Sequence, residues 1–190
     1  MVTTLALLWL PILLSAVFVF VASSVVHMVL PIHAGDYKKM PNEDRVREAL
    51  RGAKVPPGQY MYPGCESMKE YGSEELQKKF AEGPVGVMVV RPDGMPNMGK
   101  SLLQWFALCL LISTLVAHLT GFSLAPGADG SKVFHVSALL ALLGYAFSSF
   151  NDSIWKGVSW TVTFKFVFDG VLYAAVTGAT FWWLWPAAAA

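Results

Sequence analysis

"LALLWLPILLSAVFVFVASSVVHMVL" (Leu5–Leu30) runs for 26 residues without a Lys, Arg, Asp or Glu. A hydrocarbon core of about 30 Å is crossed by roughly 20 helical residues, so this stretch is long enough to span a bilayer. It is far longer than the apolar region of a secretory signal, about 7–15 residues. The "MVTT" before it also lacks the basic residues such a signal carries. It reads as a retained membrane helix, with Pro11 in its first turn or at a kink.

Three further stretches repeat the pattern. Leu102–Phe122 and Val133–Asn151 carry no charge over 21 and 19 residues, and the stretch from about Phe166 to Trp185 carries one, Asp169. None alternates with the period of two that a membrane β-barrel requires. The predicted spans are 5–30, 101–122, 133–152 and 165–186. Charged residues make up 14% of the chain, against about 25% in soluble domains. Residues 31–100 hold 11 of the 14 Lys and Arg and 10 of the 13 Asp and Glu. The expected fold is an all-α membrane protein: a four-transmembrane-helix bundle with a small α/β extramembrane domain, 31–100, inserted between helices 1 and 2.

Within that insertion "PNEDRVREALRG" (Pro41–Gly52) has helix signals at both ends. Asn42 is placed to cap, Glu43 and Asp44 suit the positive end, and Gly52 can stop it. "SEELQKKFAEG" (Ser73–Gly83) repeats the design with Ser73 as cap. Val85–Arg91 reads as a strand, and Tyr60–Tyr62 as a shorter one. So little chain makes a marginal core, so the domain is expected to rest on the membrane surface or on a partner. Its net charge of +1 gives nucleic-acid binding no electrostatic support. Cys65 and Cys109, in the loop and in the second span, form neither a disulfide framework nor a metal-ligand spacing.

"GMPNMGKS" (Gly94–Ser101) fits the phosphate-binding pattern G-x-x-x-x-G-K-[ST]. That pattern works where a parallel sheet feeds the loop and a helix backs it. Here one good strand precedes it and a membrane span follows, so no nucleotide is expected. Gly99 would permit a turn, Lys100 anchor to lipid headgroups, and Ser101 cap the second span.

Four spans put both termini on one side. Lys38, Lys39, Lys100, Lys156 and Lys165 flank the other side, which also holds 31–100. The positive-inside rule makes that second side cytoplasmic, and both termini periplasmic. Trp9, Trp183 and Trp185 mark one interface, and Trp105, Trp155 and Trp160 the other, as membrane anchors. No metal is expected.

Ionisable groups within spans are functional candidates because burying a charge in lipid is costly. Asp169 leads. Lys165 lies one turn before it and is expected to pair with it, and His27 and Asp152 are candidates to complete a polar cluster that binds a proton or ion. His118 and His135 fall at similar depth on successive spans, an arrangement that could ligate haem b or a chlorophyll-type pigment, although no cofactor is the expectation. Gly170, Ala174 and Gly178 share one face of the last span, suited to close contact with another helix in this chain or a partner.

The segments "HMVLPIHAGDYKKMPNED", "ESMKEYGSEELQKKF", "GPVGVMVVRPDGMPNMGKSLLQW" and "FDGVLYAAVTGATFWWLWP" together resemble a group of small bacterial four-helix inner-membrane proteins of about this length. The resemblance covers most of the chain. It implies the bacterial cytoplasmic membrane and transfers no activity or catalytic residue. The functional expectation is a non-catalytic accessory subunit of a larger membrane complex, with a respiratory or photosynthetic assembly as candidate host. Its partners would be other membrane subunits and the bilayer, and its ends, Met1 and "AAAA" (Ala187–Ala190), would be held by neighbours. The alternatives are a small ion- or proton-handling transporter using Asp169, Lys165 and His27, and a haem anchor using His118 and His135.

Overall fold

A computed structural model describes residues 3–188. Met1 and the last two alanines, ends expected to be held by neighbours, lie outside that range. The chain is mostly helical and contains four helical stretches long and apolar enough to cross a membrane: Trp9–Val29, Met98–Ser123, Gly130–Lys156 and Trp160–Trp183. It divides into two compact units. Among the described residues, one comprises 3–36, 97–153 and 158–188, and the other 37–96 with 154–157.

The first unit is built from α1 (Trp9–Ser24), α5 (Met98–Ser123), α6 (Gly130–Ala146), α8 (Trp160–Trp183) and, up to residue 153, α7 (Ser148–Lys156). Helices α1 and α5 pack together, α5 meets α6, α6 lies along α8, and α8 returns to α1. Pro11 sits in the first turn of α1, where its missing N–H breaks no helical bond. The spans depart from their sequence boundaries at several ends. The third is broken near Phe147 into α6 and α7, and the fourth starts at Trp160, five residues before the predicted 165. Residues 31–36 and 97–100, assigned to the insertion from their polarity, belong to the helical unit.

Two apolar clusters fill the bundle. Leu8, Ile112, Val116, Val133 and Phe181 lie in one. Ala16, Val19, Cys109 and Tyr173 form the other. In an apolar 18-residue window of each stretch, only 22–39% of the residues are buried within the chain. Side chains such as Leu103, Leu111 and Leu139 face outward. A helix apolar on all sides is at home in lipid, so the fold is that of a membrane protein.

Small residues set the helix spacing. A Cβ on Gly170 would lie 2.6 Å from Cβ of Ala146, and one on Gly178 would lie 2.8 Å from Cβ of Ala138. The Gly170–Ala174–Gly178 face is therefore used within this chain, as the α6–α8 seam. Between α1 and α5, the hydroxyls of Ser15 and Ser113 are 2.5 Å apart, and the Ser113 hydroxyl also donates to the Ile12 carbonyl. At the other end of this face, Trp105 Nε1–H donates to Ser23 Oγ at 2.8 Å.

The second unit holds α2 (Glu43–Gly52), β1 (Gly58–Tyr62), α3 (Met68–Tyr71), α4 (Glu74–Glu82) and β2 (Gly86–Val90). The strands pair antiparallel, Gly58 opposite Val90 and Tyr62 opposite Gly86. Ser73 caps α4 as expected, its hydroxyl accepting from the Leu76 N–H. Asn42 does not cap with its side chain: it adopts a left-handed conformation, φ 51°, and its carbonyl instead accepts from Arg45 and Val46. Leu76 is the single buried residue of this unit among those described.

The α6–α8 seam makes a direct prediction. Gly170→Ala should destabilise the protein by roughly 1–3 kcal/mol, because Ala146 backbone atoms stand within 3.0 Å of the new Cβ. Gly99→Ala, in the first turn of α5 with nothing nearer than 3.5 Å, should be neutral or gain up to about 1 kcal/mol. Thermal unfolding of both variants in mild detergent measures the difference.

Candidate functional site

The end of the first span is where the helix departs from regularity. Val25–Val29 forms a π-turn, with the Leu30 N–H donating to the Val25 carbonyl at 3.0 Å. Pro31 has no N–H to continue the ladder, and the chain turns through a 3₁₀ segment, Pro31–His33. In a continuous α-helix His27 and His33 would stand about 120° apart around the axis and roughly 9 Å apart along it. The break instead stacks their rings, with centroids 4.3 Å apart and planes 28° apart.

Asp169 of α8 faces this stack. Its position nine residues into α8 is about 14 Å along the helix, and its side chain is 2% exposed. Oδ2 lies 2.9 Å from His33 Nε2 and 3.4 Å from His27 Nε2. The 2.9 Å approach is close but not aligned as a hydrogen bond, so His33 Nε2 and both Asp169 oxygens are buried without a hydrogen-bond partner. His33 Nδ1–H donates to Asp36 Oδ2 at 2.6 Å, and Lys165 Nζ donates to Asp36 Oδ1 at 2.5 Å. Burial opposes ionisation of Asp36, but the hydrogen bonds from Lys165 and His33 outweigh it and hold its carboxyl below the usual carboxylate range.

A cavity of about 590 Å³ adjoins the cluster, bounded by His27, Met28, Met98, Trp105, Tyr145, Phe166, Asp169 and Tyr173. Its wall is apolar apart from a few groups. Tyr173 and Thr177 follow Asp169 at one-turn intervals on the same face of α8. Both are buried, with hydroxyls that have no hydrogen-bond partner.

Lys165 does not pair with Asp169, as the one-turn spacing suggested. It reaches Asp36, which the chain reversal after Pro31 brings within 2.5 Å. Asp152 was expected to complete the cluster; the clustered ligand atoms come from His27, His33 and Asp169 instead. Asp152 lies in α7, its carbonyl accepting from the Val158 N–H. His33 and Asp36 escaped the sequence reading, although "HAGD" (His33–Asp36) places a carboxylate three residues after an imidazole.

His118 and His135 are both exposed, and neither is buried between the helices that carry them. His135 Nδ1–H donates to the Ser131 carbonyl at 2.7 Å. Trp9, Trp155, Trp160 and Trp183 are exposed. Trp105 is half-buried between Tyr145 and Tyr173. Trp185 is half-buried too, with Nε1–H donating to the Ala125 carbonyl at 3.1 Å. Asn97, and not Ser101, caps α5, accepting from the Lys100 N–H at 3.0 Å. Strand β2 pairs only with antiparallel β1, and a parallel sheet behind Gly94–Ser101 is absent among the described residues. No family model, curated protein or solved structure matches the chain.

The Asp36–Lys165 pair carries a testable weight. Lys165→Met should destabilise by roughly 1–3 kcal/mol, less than the loss of a fully buried partner, because the lysine side chain is 29% exposed. Adding Asp36→Asn should restore part of the loss. With its carboxyl held low, Asp36 stabilises the fold fully above about pH 4, and the contribution drains as pH falls through the folded value. Unfolding midpoints between pH 3 and 7 should show this acid loss in wild type and a smaller one in Asp36→Asn.

Proposed function

We propose that the chain is a non-catalytic, ion-handling membrane protein that takes up a cation, a proton or a metal ion, at Asp169 between His27 and His33. Charge balance supports this reading. Lys165 compensates Asp36, whereas Asp169 is almost fully buried with neither oxygen hydrogen-bonded. With only two imidazoles beside it, a carboxylate in a low-dielectric interior costs several kcal/mol unless a proton on one ring or a bound cation balances its charge. Buried ionisable groups in membrane spans mark ion and proton pathways. The hydroxyls of Tyr173 and Thr177 continue the polar face of α8 inward from the site. The half-exposed His27 opens it to the cavity.

The membrane in this proposal is the bacterial cytoplasmic one, as the resemblance implies. Residues 31–100 face the cytoplasm and both termini the periplasm, as the lysine count implies. No haem or pigment is assigned to His118 and His135, whose exposure gives an axial pair no enclosure.

A second reading is a non-catalytic accessory subunit of a larger complex. It is supported by the second unit, where Leu76 alone is buried among the described residues and Met68, Tyr37 and Met95 stand exposed. A unit with so little core gains from a surface to lean on, whether a partner or lipid headgroups.

Purified protein reconstituted in liposomes separates the two. Ion handling predicts cation movement, read by pH-sensitive and metal-sensitive dyes, that falls at least tenfold in Asp169→Asn and is unchanged in Lys100→Ala. No movement from wild type, with subunits co-purifying in native mass spectrometry, would favour the accessory reading.

A further inference from the structure

We infer that His27, His33 and Asp169 form a binding site for a divalent transition-metal ion of the zinc class. This names the cation of the ion-handling reading and rests on it. Three potential ligand atoms converge: one ring nitrogen each from His27 and His33 and a carboxylate oxygen of Asp169, all within 4.8 Å of one another. Tetrahedral coordination with bonds of about 2.0–2.1 Å sets ligand atoms about 3.3 Å apart. The distances from Asp169 Oδ2 to His33 Nε2 and His27 Nε2, 2.9 and 3.4 Å, bracket that value.

The hydrogen bonding around His33 fits the same role. Asp36 Oδ2 accepts from His33 Nδ1–H, which leaves Nε2 as the ring nitrogen that faces Asp169. A metal-ligating imidazole commonly donates its other N–H to a carboxylate, which fixes the tautomer and raises ligand basicity. Lys165 neutralises Asp36 and keeps it in that supporting position, leaving Asp169 as the anionic ligand.

The donor set selects the metal. Two imidazoles and one carboxylate suit zinc and its neighbours, whereas calcium and magnesium favour sites built from oxygen. Both rings must turn slightly to aim at one ion, and His27, with 39% of its side chain exposed, has room to do so. Three protein ligands leave a fourth position, and the adjoining cavity of about 590 Å³ gives water or an exchangeable ligand access to it.

The test uses the full chain in mild detergent, stripped with chelator and titrated with Co²⁺, whose visible absorption reports nitrogen and oxygen coordination. Zn²⁺ competition and metal analysis follow. One ion per chain is expected, with a rise in unfolding temperature. Binding should be lost in His33→Ala and in the closer-sized His33→Gln. Asp36→Asn should weaken it by roughly 10–100-fold. His118→Ala and His135→Ala should bind as wild type does. Absence of stoichiometric binding overturns the site, as does binding that survives both His33 variants. If Co²⁺ does not bind but protons still cross liposomes in an Asp169-dependent way, the metal site fails and ion handling stands. If Co²⁺ binds at these ligands and no cation crosses, the site stands and ion handling fails.

Discussion

A carboxylate buried within a membrane helix is the constraint around which this end of the bundle is organised. Asp169 could be kept neutral, kept paired, or kept near water; the fold gives it two imidazoles and a mostly apolar cavity. Placing them required α1 to stop behaving as a helix. The π-turn at Val25–Val29 and the break at Pro31 bend the chain until His33 lies over His27 and Asp36 comes within reach of Lys165. Such departures from regular geometry interrupt the helical hydrogen-bond ladder, and helices often tolerate them where a side chain must be aimed. Each member of the cluster then depends on another: Lys165 on Asp36, Asp36 on His33, and His33 on Asp169.

That organisation depends on the position of α8, and α8 is placed by the absence of side chains. Gly170 immediately follows Asp169 and meets Ala146 of α6. One residue therefore turns its carboxylate toward α1, and the next lets the helix backbone approach α6. Where lipid covers the outside, burial of apolar surface gives little reason for helices to prefer each other over the bilayer. Close packing and interhelical hydrogen bonds must supply the preference. The glycine seam does so between α6 and α8, and the Ser15–Ser113 and Ser23–Trp105 contacts between α1 and α5.

The membrane character and the number of spans were legible because uninterrupted apolar runs are a long-range signal that little else produces. Both strands and two helices of the polar insertion were legible as well, from glycine, proline and capping residues. The site was half legible. Asp169 and His27 stand out as polar groups within or beside apolar runs, but His33 and Asp36 look like the first residues of a polar loop. Their role depends on the chain reversing at Pro31, which residue spacing along an assumed straight helix does not encode. The same assumption paired Lys165 with Asp169. Local spacing favours that contact, but the reversal delivers a second carboxylate to the lysine. Trp105 and Trp185 carry contacts that sequence position does not reveal: their N–H groups donate to Ser23 and to the Ala125 carbonyl.

The cavity separates a structural account of the cluster from a binding one. A group of charges kept only to join helices is best closed, since every residual lone pair in low dielectric weakens the fold. Here Asp36 and Lys165 meet that description, whereas His27, Asp169 and Tyr173 border open volume. Asp169 and Tyr173 keep polar atoms unpartnered there. Native proteins rarely leave such groups unsatisfied, and where they do, a bound ion or ordered water is the usual complement. The difference follows from position: the Asp36–Lys165 pair is satisfied at the chain reversal, and the groups on the cavity wall keep polar atoms facing open volume.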